Sequence, residues 1–220
     1  MVKVQEQHLN EIIEKSVKEN WFLDSLSDFD GVSYRYADVA ENIEKIHILF
    51  EAAGIKQGDK VAICGKNSSD WVIVLLSCLT YGAVGVPILH EFNAQSITNL
   101  VNHSEALLLF ADKVILDKLN TDDLPALKGA FYISETGMAF SREKKLSEVR
   151  EKLNEKFGEK FPTGFSADNI SYYKDEPENL AVINYTSGST GSPKGVMLPY
   201  RSLWSNIVYC IEHLTFLKPG

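Results

Sequence analysis

The chain has few cysteines, and none of them is spaced like a metal ligand or a redox motif. Three occur in 220 residues, at Cys64, Cys78 and Cys210, and no C-x-x-C pair is present. An odd number of isolated cysteines argues against a disulfide framework and against a zinc-binding arrangement. No apolar secretory leader follows Met1. We therefore expect buried, reduced thiols, and the sequence predicts a cytoplasmic protein.

Basic clusters and histidine clusters are equally scarce. The formal net charge is −8 and no run of lysine or arginine occurs, which argues against a nucleic-acid partner. The five histidines are scattered along the chain, so no metal site made by protein side chains is predicted. No basic amphipathic helix or lipidation signal is evident, so membrane association is compatible with the sequence but not indicated by it.

One long uncharged segment, Trp71 to Leu89, reaches the length of a membrane span. Gly82, Gly85 and Pro87 interrupt its second half, where helix propensity is low. Val84 and Val86 suit a short strand instead. The segment therefore predicts a buried helix followed by a buried strand.

Helical and strand patterns alternate through the first two thirds of the chain. Apolar residues at helical spacing follow Tyr36, Trp71, Ile97 and Val114, with a stop at Gly54 for the first helix. Short apolar runs between these helices predict strands at 61–63, 84–88, 107–110 and 131–133. The alternation predicts an α/β fold with a mostly parallel sheet flanked by helices. In such folds ligands bind in loops at the carboxyl ends of the strands.

Two segments are expected to carry no function. Residues 143–160 are charge-dense, with apolar positions at helical spacing, and predict one solvated surface helix. Residues 161–178 are rich in Pro, Gly, Asn and Asp and predict a linker.

A loop rich in hydroxyls and glycines follows the next predicted strand, at 180–184. Its sequence from residue 186 to 195 is Thr-Ser-Gly-Ser-Thr-Gly-Ser-Pro-Lys-Gly. Glycines let the backbone approach a phosphate and expose N–H groups, hydroxyls add donors, and Lys194 adds a positive charge. A flexible surface turn is the alternative for such a composition. The Walker A pattern does not fit, because Gly195 and not Ser or Thr follows Lys194.

The ten positions from 186 to 195 resemble the phosphate-binding signature of the adenylate-forming (AMP-binding) superfamily. Gly54 to Ile63, Asn67-Ser68 and Gly82 to Pro87 resemble its N-terminal landmarks, in the same order. The run from Tyr185 to Leu198 is most similar to the long-chain-fatty-acid–CoA ligases. This resemblance implies that residues 1–220 are an N-terminal fragment of the large AMP-binding domain, with the rest of that domain and the C-terminal lid domain absent.

The resemblance also implies a reaction. In this superfamily a carboxylate attacks the α-phosphate of Mg-ATP to give an acyl-adenylate, and coenzyme A then takes the acyl group. ATP, Mg²⁺ and CoA are the implied cofactors and co-substrates, and a long-chain fatty acid is the favoured carboxylate. The implied contacts to the ATP phosphates are Thr186, Ser187, Gly188, Ser189, Thr190, Gly191 and Lys194.

The catalytic lysine of the superfamily's C-terminal domain is not in the chain, so the fragment alone is expected to be inactive. Tyr200 stands near the position where many members have a histidine, and it either contacts ligand or packs in the core. The alternatives to the acyl-CoA ligase interpretation are an amino-acid adenylation domain and a non-catalytic nucleotide-binding module.

Overall fold

The computed structural model describes residues 8–134, 137–186 and 194–213. Its helices are α1 (Leu9–Glu19), α2 (Tyr36–Ala52), α3 (Ser69–Tyr81), α4 (Ala94–Ser104), α5 (Lys113–Leu116), α6 (Lys144–Glu151), α7 (Leu153–Lys160) and α8 (Tyr200–His213). Its strands are β1 (Asp24–Ser27), β2 (Ser33–Arg35), β3 (Lys60–Cys64), β4 (Val84–Pro87), β5 (Leu108–Ala111), β6 (Gly129–Tyr132), β7 (Met138–Ser141), β8 (Leu180–Thr186) and β9 (Lys194–Pro199).

Seven strands form one sheet in the order β7-β6-β5-β3-β4-β8-β9. The five central strands are parallel, and β7 and β9 are antiparallel to their neighbours at the two edges. β1 and β2 form a separate antiparallel pair. This confirms the predicted α/β class with a mostly parallel sheet. The carboxyl ends of the parallel strands share one edge of the sheet, and β8 enters its loop at that edge.

Helices cover both faces of the sheet, as strand β3 shows. Val61 and Ile63 face the cluster that contains α2 and α3, whereas Ala62 and Cys64 face α4 and α5. All four side chains are fully buried, which explains why β3 appears in the sequence as a continuous apolar run.

Cys64 and Cys78 are buried as expected, and burial raises the pKa of the Cys64 thiol to about 12.

Local signals place the helix ends well. Ser68 caps α3 by accepting a hydrogen bond from the backbone N–H of Trp71 at 3.1 Å. Gly82 ends the same helix with a φ of 82°, in the left-handed region that favours glycine. α2 ends two residues before Gly54, which has a φ of 63°. The uncharged segment from Trp71 is therefore a helix followed by a strand, as predicted. None of the helices in the described ranges has the length and apolarity needed to cross a membrane.

The single surface helix predicted for 143–160 is wrong in two respects. The segment forms α6 and α7, which are separated at Lys152. Leu146 and Leu153 are buried, and both helices pack on α2, so this segment contributes a layer of the core and not only a solvated face.

The linker predicted for 161–178 is also wrong, because its second half is packed. Asp175 is 1% exposed and accepts hydrogen bonds from the backbone N–H groups of Leu9 and Asn10, at 3.1 and 2.9 Å. Its carboxylate therefore caps the first turn of α1 and fixes that helix to the domain. Ile170 and Tyr172 are buried in the main core.

Candidate functional site

The predicted phosphate loop connects the two strands of a hairpin. β8 and β9 pair antiparallel from Leu180↔Pro199 to Thr186↔Lys194, so Thr186 and Lys194 face each other at the loop end of the hairpin. Five of the predicted phosphate contacts lie outside the described residues: Ser187, Gly188, Ser189, Thr190 and Gly191. The structure therefore places the first and last members of the predicted set, and it places them together.

Thr186 and Lys194 are both exposed. Residues that pair directly across a ladder have side chains on the same face of the sheet. The hydroxyl donor of Thr186 and the ammonium group of Lys194 are therefore available side by side, where the segment 187–193 begins and ends. A hydroxyl and a mobile cation are a donor set that suits the oxygens of a polyphosphate.

The hairpin belongs to the carboxyl edge of the parallel sheet. β8 pairs with β4 through Gly85↔Val182, and the loop after β8 therefore opens at the edge where β3, β4 and β5 also end. At that edge the carboxylate of Asp112 accepts a hydrogen bond from the backbone N–H of Lys66 at 2.9 Å. The loop thus opens where ligand sites of open α/β sheets are found.

Gly65 lies at the same edge, where the turn after β3 closely approaches the residues that follow β5 and β6. A Cβ at this position would stand 2.5 Å from Ile133 Cδ1 and 2.8 Å from Asp112 Oδ1. Any other residue here would therefore require the ends of the Ile133 and Asp112 side chains to shift. The turn after β3 is held tightly between the ends of β5 and β6.

Tyr185 fixes the hairpin just below the loop, a role that was not predicted from the sequence. The Tyr185 hydroxyl lies 2.7 Å from Nδ1 of His103 in the last turn of α4, and the two rings meet edge to face at 5.7 Å. Tyr185 is 6% exposed, and burial raises the pKa of its phenol. His103 is 82 residues away in the sequence, so no local pattern could have indicated this pair.

Tyr200, the other residue named near the loop, is a core side chain in the structure. It is 1% exposed, and its hydroxyl donates a hydrogen bond to the carbonyl oxygen of Leu79 at 2.7 Å. Burial raises the pKa of Tyr200. Of the two roles that the sequence left open, this geometry supports packing.

A cavity of about 570 Å³ lies beside the hairpin stem, next to the end of α4. Its walls include His103, Tyr185 and Met197, but neither Thr186 nor Lys194 lines it. The cavity is therefore separate from the pair at the loop end. Within 8–134, 137–186 and 194–213, no group of three or more His, Cys, Asp and Glu side chains is arranged to hold a metal ion.

Comparisons with known proteins agree with the fold. A family model described as AMP-binding enzyme matches residues 14–219. The long-chain-fatty-acid–CoA ligase 1 of Cavia porcellus is 32% identical over 152 residues, which are 66% of this chain and 21% of that protein. The trichosetin synthetase PKS-NRPS1 of Gibberella fujikuroi is 28% identical over 207 residues, which are 94% of this chain and 4% of that protein.

A solved structure shows the same fold. The fatty acyl-adenylate ligase from L. pneumophila, in complex with acyl adenylate and pyrophosphate, superimposes with a TM-score of 0.69 at 19% identity. The match covers 94% of this chain and 33% of that one. The chain thus spans a third or less of the length of the proteins that it matches here.

Proposed function

The chain belongs to the AMP-binding enzyme family, and on that premise we propose that it provides the ATP-phosphate site of an enzyme that activates a carboxylic acid. The acid is converted to an acyl-adenylate, with release of pyrophosphate, and coenzyme A then accepts the acyl group. The observation that carries the proposal is the Thr186↔Lys194 pair at the carboxyl edge of the parallel sheet.

The chemistry of this site is electrostatic. When ATP is bound with Mg²⁺, attack of the carboxylate on the α-phosphorus breaks the bond to the bridging oxygen, and negative charge accumulates on the departing pyrophosphate. A positioned ammonium group and hydroxyl donors bind the phosphates of ATP and stabilise that charge in the transition state. Lys194 would supply the charge, and Thr186 with the hydroxyls of 187–193 would supply the donors.

Mg²⁺ would be held chiefly by phosphate oxygens and water. Mg²⁺ in nucleotide sites keeps several waters and takes few protein ligands. Because the metal would enter with the nucleotide, the exposed pair at Thr186 and Lys194 is compatible with Mg-ATP.

A long-chain fatty acid is the substrate class that we propose. The similarity to the long-chain-fatty-acid–CoA ligase 1 of Cavia porcellus supports it. Amino-acid adenylation is the second candidate, because the match to the trichosetin synthetase PKS-NRPS1 extends over 94% of this chain.

Carboxylate-dependent exchange of labelled pyrophosphate into ATP tests the function directly in the intact protein. Acetate, palmitate, benzoate and a mixture of amino acids would be compared. We expect palmitate to drive exchange and Lys194→Ala to reduce it by about 100-fold or more, the size of effect seen when one transition-state donor is removed. Lys144→Ala is the matched control, since the Lys144 side chain is 90% exposed and pairs only with Glu148 among the ion pairs described.

Each other result has a distinct meaning. Exchange driven by amino acids would move the protein to the second candidate. No exchange with any acid, from a protein that still binds ATP, would leave a nucleotide-binding module. We also expect residues 1–220 alone to give no exchange, because they correspond to a third or less of the length of the relatives that they match.

A further inference from the structure

The hairpin that carries the phosphate loop has little support from the sheet at its loop end. β8 pairs with β4 at Gly85↔Val182, and β4 then ends at Pro87. Proline has no backbone N–H with which to continue a ladder. The part of β8 from Asn184 to Thr186 is paired with β9 on one side, and among the described strands no ladder with β4 continues on the other. Its position relative to the domain must therefore be fixed by side chains.

Tyr185 supplies such a contact, because it belongs to β8 and its ring packs on β9. It pairs with Gly195 across the ladder, and a Cβ on Gly195 would lie 3.3 Å from Tyr185 Cε1. The tyrosine ring therefore lies over β9 at the residue after Lys194. Because Tyr185 directly precedes Thr186, one ring contacts the strands at both ends of the loop.

The other end of this contact is anchored on a rigid helix. α4 packs on the sheet through Ile97, Leu100 and Val101, each of which is 4% exposed or less. Asn93 caps the start of α4 by accepting a hydrogen bond from Ser96 N at 2.8 Å. His103 in the last turn therefore has a fixed position, and its Nδ1 lies 2.7 Å from the Tyr185 hydroxyl. The buried phenol keeps its proton and can donate it to Nδ1.

We propose that His103 and Tyr185 form a positioning pair that holds Thr186 and Lys194 in place for the ATP phosphates. Neither side chain need contact ATP, since each acts through Thr186 and Lys194. A misplacement of about 1 Å in these two residues can weaken a site by a large factor. Because Thr186 and Lys194 are the proposed contacts to the ATP phosphates, the pair would act on ATP affinity and not on the carboxylate. This inference rests on the proposed function, because it assumes that the loop binds a polyphosphate.

The test is a set of variants of the intact protein in the pyrophosphate-exchange assay. Tyr185→Phe removes the hydroxyl and keeps the ring, and His103→Leu removes the acceptor. We expect each to raise the KM for ATP by about three- to tenfold, the range for one hydrogen bond, and to leave the KM for the carboxylate unchanged. The double variant should be no worse than either single variant, because both remove the same interaction.

Two further variants separate positioning from general stability. His103→Asn places an amide oxygen near the position of Nδ1, where it can accept from Tyr185, and should restore most of the ATP affinity lost in His103→Leu. Tyr209→Phe removes the hydroxyl of an exposed tyrosine and should change nothing.

Other outcomes overturn the inference. It is wrong if the wild type is active and Tyr185→Phe leaves the KM for ATP unchanged. It is also wrong if the KM values for ATP and the carboxylate both rise and the Tm falls, because that result indicates a general loss of stability. If the wild type gives no exchange, the proposed function fails separately. Calorimetric titration of the same variants with ATP then decides, because weaker ATP binding in Tyr185→Phe supports the pair and equal or absent binding refutes it.

Discussion

Tyr200 and Leu79 are joined by a buried hydrogen bond of 2.7 Å from the tyrosine hydroxyl to the leucine carbonyl oxygen. The same carbonyl oxygen accepts a hydrogen bond from the side-chain amide of Asn10 at 2.9 Å. Three helices therefore meet at one backbone oxygen: α8 after the phosphate loop, α3 before β4, and α1 at the N-terminal end. Tyr200 belongs to this junction.

Tyr200→Phe is expected to lower the free energy of unfolding by about 1 kcal/mol, because it removes one buried hydrogen bond and keeps the ring. Leu79 O would keep its bond from Asn10, so no buried acceptor would be left without a partner. Urea denaturation measures the change, and the KM for ATP should stay at the wild-type value. A large rise in that KM would instead give Tyr200 a role at the nucleotide.

Thr186→Val is expected to raise the KM for ATP by roughly two- to tenfold, because it removes one hydroxyl donor without changing the shape of the strand. Asn184→Val is the matched control. Asn184 is exposed on the same strand, two residues earlier and therefore on the same face, but further from the loop. Titration with ATP compares the two variants. Equal effects would mean that the strand, and not the Thr186 hydroxyl, sets the affinity.

Stability should fall in acid partly because of His47. This side chain is buried, with Nε2 3.1 Å from both Ser77 O and Thr80 Oγ1, and burial lowers its pKa to about 3. In the unfolded chain histidine titrates near pH 6.5. The unfolded state therefore binds more protons between about pH 6.5 and pH 3, and stability falls as the pH falls through that window, by up to about 1.4 kcal/mol per pH unit.

The contribution of His47 can be isolated by comparison with His47→Gln. Glu44 and Lys160 also lie near His47, and burial raises the pKa of Glu44, which favours the folded state in acid. Because both proteins keep Glu44, the difference between their free energies of unfolding reports His47. Between about pH 6.5 and 4.5, we expect the wild type to lose roughly 2 kcal/mol more of its free energy of unfolding than His47→Gln. Parallel curves would contradict the assignment.

Gly65→Ala is expected to cost about 1–3 kcal/mol, because the new methyl group would press on Ile133 and Asp112 at the carboxyl edge. Gly158→Ala is a matched control within α7, where a Cβ would meet nothing within 4 Å. Alanine there should stabilise the protein by about 0.5–1 kcal/mol. Urea denaturation measures the free energy of unfolding of both variants, and changes of opposite sign would confirm the prediction. A stabilised Gly65→Ala would show that this edge has room for a methyl group.

Much of the fold could be predicted because its signals are local. The strand at Val61, the cap at Ser68 and the stop at Gly82 each depend on neighbouring residues. The candidate phosphate loop stands out because its composition is unusual over ten consecutive positions, and its role stays a prediction. Local patterns were sufficient wherever propensity, capping and burial agreed.

The errors arose where distant residues decide the structure. Nothing near Lys152 marks the break between α6 and α7, since the apolar spacing continues across it, and both helices pack on the distant α2. The local composition places Asp175 in a linker, yet its hydrogen-bond partners are Leu9 and Asn10, more than 160 residues earlier in the sequence. His103 and Tyr185 were missed for the same reason, because only the folded chain brings them together.

The pairing of Gly85 with Val182 has a consequence for how the chain is made. β4 leaves the ribosome about 100 residues before β8, which at ordinary translation rates is roughly 5 to 20 seconds. During that time one edge of a short, apolar strand has no partner, and such edges recruit other strands. The strand that brings the phosphate loop to the sheet is thus also the one that closes an aggregation-prone edge, and mutations that delay its docking should increase the demand for chaperones during synthesis.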